Sequence, residues 1–249
     1  MTMLQASDRQ QITRRFEEGL DGDVTVRLFT QGLGGLFVPG RECQTCEPTR
    51  KLLQEVCDLS PRLHLEVIDF YKDRQAAEAA GVDRIPTIVI EGGGATGGRL
   101  RYYGMPSGIE FSVLLQAILN ASKRDSGLKP ETREELASLT ENVHIQVFVT
   151  PTCPYCPGVA GAAHAMALES PRVRADVVEV QEFPQFARAY NVRSVPMTVI
   201  NDKTVFTGAV NETGLLERIL ETVGMTARGE DAAPSPEDAH ASPGRATSL

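Results

Sequence analysis

The apolar positions of this chain fall into a series of strand-like and helix-like segments. Short runs rich in Val, Ile and Leu are typical of strands, and apolar residues three or four positions apart are typical of amphipathic helices. In the first half, strands are predicted at 24–29, 65–69 and 88–90, and helices at 49–59 and 109–119. A short helix near Ala76 and a second hairpin strand ending at Gly104 complete the order β-α-β-α-β-β-α.

The same order recurs in the second half of the chain. Here strands are predicted at 143–148, 175–179 and 198–200, and helices at 159–169 and 215–223. A leading helix precedes each copy, with Ile12, Phe16 and Leu20 four positions apart in the first and residues 131–139 in the second. A strand–helix–strand start requires a parallel pair with a right-handed crossover, and the terminal hairpin adds antiparallel strands. The chain is therefore predicted to be an α/β protein of two tandem units, each a mixed central sheet with helices on both faces.

The repeat divides the chain into two units and a tail. We expect an N-terminal unit over 1–121, a C-terminal unit over 122–224 and a disordered tail over 225–249, where Gly, Pro, Ser, Ala and acidic residues leave little to bury. The first unit also carries a Gly-rich insertion at 31–40 that the second unit lacks. We interpret it as a mobile insertion, because its glycines do not have the spacing of a phosphate-binding loop.

Composition narrows the functional classes. The chain has 249 residues, 41 % hydrophobic and 23 % charged, as expected for a globular protein of two domains. No run approaches the ~20 apolar residues of a membrane span, and the N-terminus has no apolar signal region, so we expect a cytoplasmic protein. A net charge of −8 without a basic cluster argues against nucleic-acid binding.

Four of the five cysteines form two pairs with the same relation to a proline. The pairs are Cys43 and Cys46, followed by Ile85-Pro86, and Cys153 and Cys156, followed by Val195-Pro196. In both halves the first cysteine precedes the proline by 43 positions. Paired cysteines in a cytosolic chain indicate catalysis or metal binding, whereas the unpaired Cys57 is expected to be a small buried residue.

The Cys-x-x-Cys spacing suits reversible disulfide chemistry. The first cysteine of each pair lies near the start of a predicted helix, where the helix dipole and free N–H groups stabilise a thiolate. Cys43 and Cys153 are therefore the expected attacking thiols, and Cys46 and Cys156 the resolving thiols. Glu42 and Glu47 flank the first pair and should disfavour its thiolate, so the second pair is predicted to dominate.

Several motifs together carry a family resemblance. They are CQTC at 43–46, DRIP at 83–86, YYGMP at 102–106 and FVTPTCPYCP at 148–157. Over residues 7–224 the chain resembles the two-unit protein disulfide oxidoreductases, glutaredoxin-like relatives of thioredoxin. The resemblance implies two thioredoxin-fold units packed together that act on protein disulfides, with the two cysteine pairs as redox groups and no organic cofactor.

The resemblance also assigns roles around the cysteines. It implies that Pro86 and Pro196 are cis and face the cysteines, leaving the backbone of Ile85 and Val195 to pair with an extended substrate. The Pro-Tyr between the second pair is the glutaredoxin pairing and suggests a potential of roughly −200 to −230 mV. The chain departs from thioredoxin at Val147, where thioredoxin has a buried acid, so a proton acceptor must come from elsewhere.

Two carboxylates are candidates for that proton acceptor. Asp69 and Glu179 each lie 26 residues after the first cysteine of their unit, at the end of a predicted strand. A solvated carboxylate without a catalytic role is the alternative for both. His164 lies eight residues beyond Cys156, about 12 Å along the predicted helix, and is interpreted as a helix residue.

Three functions remain open at this point. The first is an enzyme that reduces, oxidises or isomerises protein disulfides. The second is an adaptor that passes electrons from a separate thioredoxin-reductase-like flavoprotein to a peroxiredoxin-type peroxidase. The third, a metal site of four thiolates, is disfavoured because the gap from Cys46 to Cys153 far exceeds the ~15–20 residues between paired zinc ligands, so no metal is expected.

Overall fold

The computed structural model describes residues 2–32, 42–93 and 97–226, and the predicted order of elements is confirmed in both halves. The N-terminal half contains α1 (Ala6–Gly19), β1 (Val24–Thr30), α2 (Cys46–Cys57), β2 (Leu63–Asp69), α3 (Arg74–Ala79), β3 (Thr87–Gly92), β4 (Leu100–Tyr103), a 3-10 turn (Gly108–Glu110) and α4 (Phe111–Lys123). The C-terminal half contains α5 (Pro130–Ala137), β5 (Val143–Val149), α6 (Cys156–Glu169), β6 (Val173–Glu179), α7 (Pro184–Ala189), β7 (Met197–Ile200), β8 (Thr204–Thr207) and α8 (Glu212–Thr222).

The eight strands of the described residues form one mixed sheet in the order β2-β1-β3-β4-β6-β5-β7-β8. In the N-terminal half β1 pairs in parallel with β2 and antiparallel with β3, and β5 does the same with β6 and β7 in the C-terminal half. Each half thus contributes its own four-stranded mixed sheet, which confirms the predicted fold class. The two sheets join where β4 and β6 pair in parallel, a contact that the sequence pattern did not predict.

Helices cover both faces of this sheet. On one face a continuous apolar core crosses the boundary between the halves, where α4 packs against α6 and buries Leu114, Ile118 and Met166. On the opposite face, α3 and α7 each cover a small separate cluster, which contains Phe29 in the first half and Phe148 in the second. The halves therefore share one of their two cores, and burial of that apolar surface holds them together.

A buried ion pair crosses the junction between the halves. Arg101 on β4 donates from Nε and Nη2 to the two carboxylate oxygens of Asp176 on β6, at 2.7 and 3.0 Å, and both side chains are buried. His144 on β5 lies 2.6 Å from the same carboxylate. Burial alone would raise the pKa of Asp176, but the His144 hydrogen bond and the Arg101 charge outweigh it and hold that pKa below its usual range.

Two regions singled out in the sequence fall mainly outside the described residues: the Gly-rich insertion from residue 33 onward, and the predicted tail from residue 227 onward. Among the helices that the structure describes, none combines the length and apolar character needed to cross a membrane.

Candidate active sites

Both cysteine pairs lie at the same edge of the sheet. The strands that precede them, β1 and β5, run in the same direction, because two antiparallel and two parallel pairings separate them. They occupy the second and sixth positions of the sheet, four strand spacings or about 19 Å apart. The structure therefore does not bring the four cysteines together. Within the described ranges there is also no group of three or more His, Cys, Asp or Glu that could hold a metal ion.

The first pair is closed as a disulfide, and its Cα atoms are 5.4 Å apart. Cys43 is half-buried in the turn before α2, and Cys46 is buried as the first residue of that helix. Thr45 immediately precedes the helix, and its carbonyl accepts hydrogen bonds from the Thr49 N–H at 2.9 Å and the Thr49 hydroxyl at 2.7 Å. The pair thus lies at the positive end of the helix dipole, as predicted.

The second pair has the same arrangement at the start of α6. Cys153 and Cys156 form a disulfide with Cα atoms 5.5 Å apart, and the Cys156 N–H donates to the Cys153 carbonyl at 3.2 Å. Cys153 is only 8 % exposed and Cys156 is fully buried. Tyr155 between them is 65 % exposed, so the rim of this site is an accessible aromatic side chain.

A cis-proline immediately precedes the strand that pairs with the one leading to each cysteine loop. The Ile85–Pro86 and Val195–Pro196 bonds are both cis, which confirms the prediction. Thr87 is opposite Phe29 and Met197 is opposite Phe148, so each proline is next to the end of the strand that leads to its cysteines. Both prolines are buried, whereas Ile85 and Val195 are partly exposed.

The two candidate proton acceptors are in different environments. Asp69 is partly exposed, accepts hydrogen bonds from the backbone N–H groups of Tyr71 and Lys72, and lies 3.6 Å from the Lys72 ammonium. Glu179 is 2 % exposed, and its oxygens accept from the N–H groups of Gln181 and Glu182 at 3.1 and 2.8 Å. Burial raises the pKa of Glu179, with a further contribution from the charge of Glu182.

The sequence analysis missed a second buried carboxyl group near the second pair. Glu110 is fully buried in the 3-10 turn, and neither carboxyl oxygen has a hydrogen-bond partner within the described residues. Burial, together with the charge of Glu179, raises the pKa of Glu110 to about 8. The neighbouring Ile109 N–H donates to the Pro151 carbonyl at 3.2 Å, so this segment of the N-terminal half lies against the loop of the second pair. Its place in the first turn of the predicted helix 109–119 gave no sign of burial.

The charges around the first pair also differ from the sequence-based expectation. Glu47 forms ion pairs with Arg50 at 2.8 Å and Lys51 at 3.5 Å, and the Arg50 hydrogen bond lowers the pKa of Glu47. Its charge is thus largely compensated. The carboxylate that does contact the cysteine loop is Glu182 of the C-terminal half, which accepts a hydrogen bond from the Thr45 hydroxyl.

The other singled-out residues behave as the sequence indicated. Cys57 is a buried free thiol, and burial raises its pKa to about 12. His164 is buried on α6, where its Nε2 lies 3.0 Å from the Arg101 carbonyl on β4. Neither residue contributes to a cysteine site.

Comparison with known proteins connects this geometry to a family. A family model described as a thioredoxin domain matches residues 143–221. The solved protein disulfide oxidoreductase from Aeropyrum pernix K1 is 31 % identical, with a TM-score of 0.79 over 92 % of this chain and 98 % of that one. A variant of the alkylhydroperoxide reductase AhpF from Enterococcus faecalis is 25 % identical, with a TM-score of 0.77 over 87 % of this chain and 99 % of that one.

A curated relative shows the same similarity at the level of sequence. The corresponding alkyl hydroperoxide reductase AhpF from Staphylococcus aureus is 26 % identical over 225 residues, or 90 % of this chain. The chain spans 38 % of the length of that relative.

Proposed function

Since this chain belongs to the protein disulfide oxidoreductases of the thioredoxin fold, we propose that it exchanges electrons with protein disulfides and dithiols at its two cysteine pairs. One observation carries the proposal. Each Cys-x-x-Cys pair is closed as a disulfide at the start of a helix, with a cis-proline immediately before the neighbouring strand. This is the arrangement needed for two thiols to open and close against a substrate disulfide.

Reduction of a substrate at the second pair proceeds in two steps. The Cys153 thiolate attacks one substrate sulfur, so that a mixed disulfide forms and the other substrate sulfur leaves as a thiolate. Cys156 then loses its proton and attacks the Sγ atom of Cys153, which releases the second substrate thiolate and closes the Cys153–Cys156 disulfide. Two electrons pass to the substrate, and the reverse sequence oxidises a dithiol. Cys43 and Cys46 take the corresponding roles at the first pair.

The strands beside the cysteines hold the substrate in this proposal. An extended segment pairs with the backbone of Ile85 or Val195, and the buried ring of Pro86 or Pro196 fixes that backbone. Main-chain pairing is independent of side-chain identity, so it suits an enzyme that acts on many protein disulfides.

Glu179 is the stronger candidate for the proton acceptor of Cys156. It lies opposite Val149, at the end of the strand next to the one that leads to the second pair, and it is buried. A carboxylate of raised pKa takes up a thiol proton more readily than one of ordinary pKa. Asp69 occupies the equivalent strand end in the first half and is the candidate acceptor for Cys46, but it is partly exposed and lies 3.6 Å from the Lys72 ammonium.

The proposal includes the partners and the place of action. The disulfides themselves are the redox groups, so electrons must arrive from outside, and a thioredoxin-reductase-like flavoprotein is the expected donor. A cytoplasmic location fits because a reductase needs a continuous supply of electrons to keep its thiols reduced. The unit boundaries 1–121 and 122–224, with a tail over 225–249, remain part of the proposal and are supported by the division of the sheet into two sets of four strands.

Insulin reduction by dithiothreitol tests this function. The full chain should accelerate the precipitation of the reduced insulin B chain, and a variant with both Cys43 and Cys153 changed to Ser should not. A variant with the buried Cys57 changed to Ser provides the matched control and should keep its activity. A double variant as active as the parent chain would contradict the proposal.

A second function is favoured by the similarity to the alkyl hydroperoxide reductases. In this alternative the chain is an adaptor that passes electrons to a peroxiredoxin-type peroxidase. A coupled assay with reductase, this chain, a purified peroxiredoxin and a hydroperoxide distinguishes the two. Peroxide turnover much faster than insulin reduction at equal concentrations favours the adaptor, and the opposite ranking favours the general oxidoreductase.

A further inference from the structure

Glu182 joins the C-terminal half to the cysteine loop of the N-terminal half. It lies in the turn between β6 and α7, and its Oε2 accepts a hydrogen bond from the hydroxyl of Thr45, inside the first Cys-x-x-Cys. Its Oε1 accepts from the Met105 N–H at 2.7 Å. Gly104 leaves space for this contact, because a Cβ at this position would lie 3.0 Å from the same oxygen. Its φ of +99° is also a backbone conformation that favours glycine.

The negative charge of Glu182 is not compensated by an ion pair. Among the described residues no Lys, Arg or His lies within salt-bridge distance of its carboxylate, in contrast to Glu47, which has two cationic partners. Arg84 lines a cavity of 600 Å³ together with Glu182, but its guanidinium is bound to Asp83 at 2.6 Å. Among the described residues, Glu182 is therefore a carboxylate without a cationic partner that is hydrogen-bonded to the first cysteine loop.

Within the described ranges, the second cysteine pair lacks a corresponding contact. Tyr155 occupies the place of Thr45, immediately before the second cysteine, and its side chain is 65 % exposed. Thr45, in contrast, is held by a side chain from the other half of the molecule. The two sites thus differ in a feature that their own Cys-x-x-Cys segments do not reveal.

From these contacts we propose that Glu182 is a positioning residue of the first pair, which holds the Thr45 turn and disfavours the Cys43 thiolate. The inference rests on the proposed function, in which both pairs cycle. A negative charge beside a thiol destabilises its thiolate, and with it the reduced form of the pair. A pair is oxidising when a stable thiolate favours its reduced form, so a pair that loses this stabilisation favours its disulfide. Glu182 therefore shifts the first pair toward its disulfide.

The turn between β6 and α7 also contacts a residue assigned to the second pair. The backbone N–H of Glu182 donates to Glu179 Oε2 at 2.8 Å, and Glu179 is the candidate proton acceptor there. Because the side chain binds the first loop and the backbone binds Glu179, exchange of the side chain alone should act mainly on the first pair. The experiment must therefore measure the redox state of each cysteine pair separately.

Redox equilibration of the full chain with dithiothreitol provides this reading. Free thiols are alkylated at defined ratios of reduced to oxidised dithiothreitol, and each pair is quantified by peptide mass mapping. In Glu182→Gln, at a pH where the Cys43 thiolate is the main reduced form, the equilibrium constant of the first pair should shift toward the dithiol by up to about tenfold, equivalent to about 30 mV, while the second pair changes by less than about threefold. Glu47→Gln removes an equal charge that is already paired and should shift the first pair by less than about threefold.

The pH dependence of alkylation separates an electrostatic role from a structural one. The pH midpoint for reaction of Cys43 with iodoacetamide should move to lower values in Glu182→Gln, whereas simple loosening of the loop would not favour the thiolate. Thr45→Val removes the hydroxyl that holds the carboxylate and should shift the first pair in the same direction. If Glu182→Gln does not fold, the Thr45→Val variant is used for the test in its place.

The outcomes are distinguishable from failure of the proposed function. If neither pair can be reduced reversibly, the proposed function is wrong, and the inference with it. If both pairs cycle but the first is unchanged in both variants, only the role of Glu182 is overturned. A shift in Glu182→Gln that is equal at the two pairs, or matched by Glu47→Gln, would also overturn it.

Discussion

Glu110 carries its carboxyl group inside the protein, without a hydrogen-bond partner among the described residues, and has a pKa of about 8. In the unfolded chain the same group titrates near its ordinary value of 4.5. Between these values the folded protein binds one more proton than the unfolded chain, so the free energy of unfolding falls as the pH rises through this window.

This linkage predicts the behaviour of Glu110→Gln, which keeps the shape of the side chain and cannot ionise. The variant should lose the contribution of Glu110 to the pH dependence of stability. Its free energy of unfolding, compared with that of the parent chain, should therefore rise by up to about 1.4 kcal/mol for each unit of pH increase between pH 5 and 8. Urea unfolding at several pH values measures the difference. A constant difference across this range would show that Glu110 is not protonated in the folded state.

The cysteines themselves support a ranking of the two sites. Cys153→Ser should remove most of the insulin-reducing activity, whereas Cys43→Ser should leave a substantial part. The reason is the charge of Glu182 at the first loop, which adds to that of Glu42, whereas the charge of Glu47, the other carboxylate expected from the sequence, is paired. A pKa one unit higher lowers the thiolate fraction up to tenfold, although higher nucleophilicity partly offsets this. A larger loss in Cys43→Ser would contradict the charge argument.

At the scale of elements, the pairing of β4 with β6 depends on a buried ion pair. Arg101→Met should lower the free energy of unfolding by about 3–5 kcal/mol, because the carboxylate of Asp176 then remains buried without its main partner. Arg27→Met is the matched control. It removes an ion pair with Glu66 in which both side chains are more than 40 % exposed, and should cost about 1 kcal/mol or less. Similar losses in urea unfolding of the two variants would show that the junction does not depend on this pair.

Elements could be predicted from the sequence wherever one local pattern determines them. The β-branched runs predicted the strands, the repeated cysteine–proline spacing predicted the two sites, and the family resemblance implied their cis-prolines. The helices carrying the second cysteines begin at Cys46 and Cys156, three residues before the apolar pattern indicated, because Gly, Pro and polar residues there hide the helical period. One signal was available for the junction: Arg101 and Asp176 each interrupt an apolar strand, as buried partners do.

Glu110 and Glu182 could not be found in this way. Each belongs to one half of the chain and acts beside the cysteine loop of the other half, so its environment depends on how the two halves meet. The register of β4 against β6 fixes that relation, and the residues around Glu110 or Glu182 carry no local pattern that specifies it. Residues that act across the junction are therefore visible only in the folded molecule.

For the whole molecule, one continuous sheet holds two separate sites at a common edge. Their separation of about four strand spacings is too large for direct exchange between the disulfides, so each pair must meet its substrates independently unless a bound chain bridges them. The shared core between α4 and α6 and the β4–β6 pairing make the halves one body. Two contacts join each half to the cysteine loop of the other: the Thr45 hydroxyl with Glu182, and the Ile109 N–H with the Pro151 carbonyl. Through them each half can modify the site of the other.

The central claim is that both cysteine pairs are redox-active, and a redox titration of the wild-type chain tests it most directly. Equilibration with graded dithiothreitol mixtures, followed by alkylation and peptide mapping, gives a midpoint for each pair. The account predicts two reversible two-electron couples, the second at roughly −200 to −230 mV and the first more negative but above about −300 mV. A midpoint below about −300 mV for either pair is typical of a structural disulfide and would contradict the account.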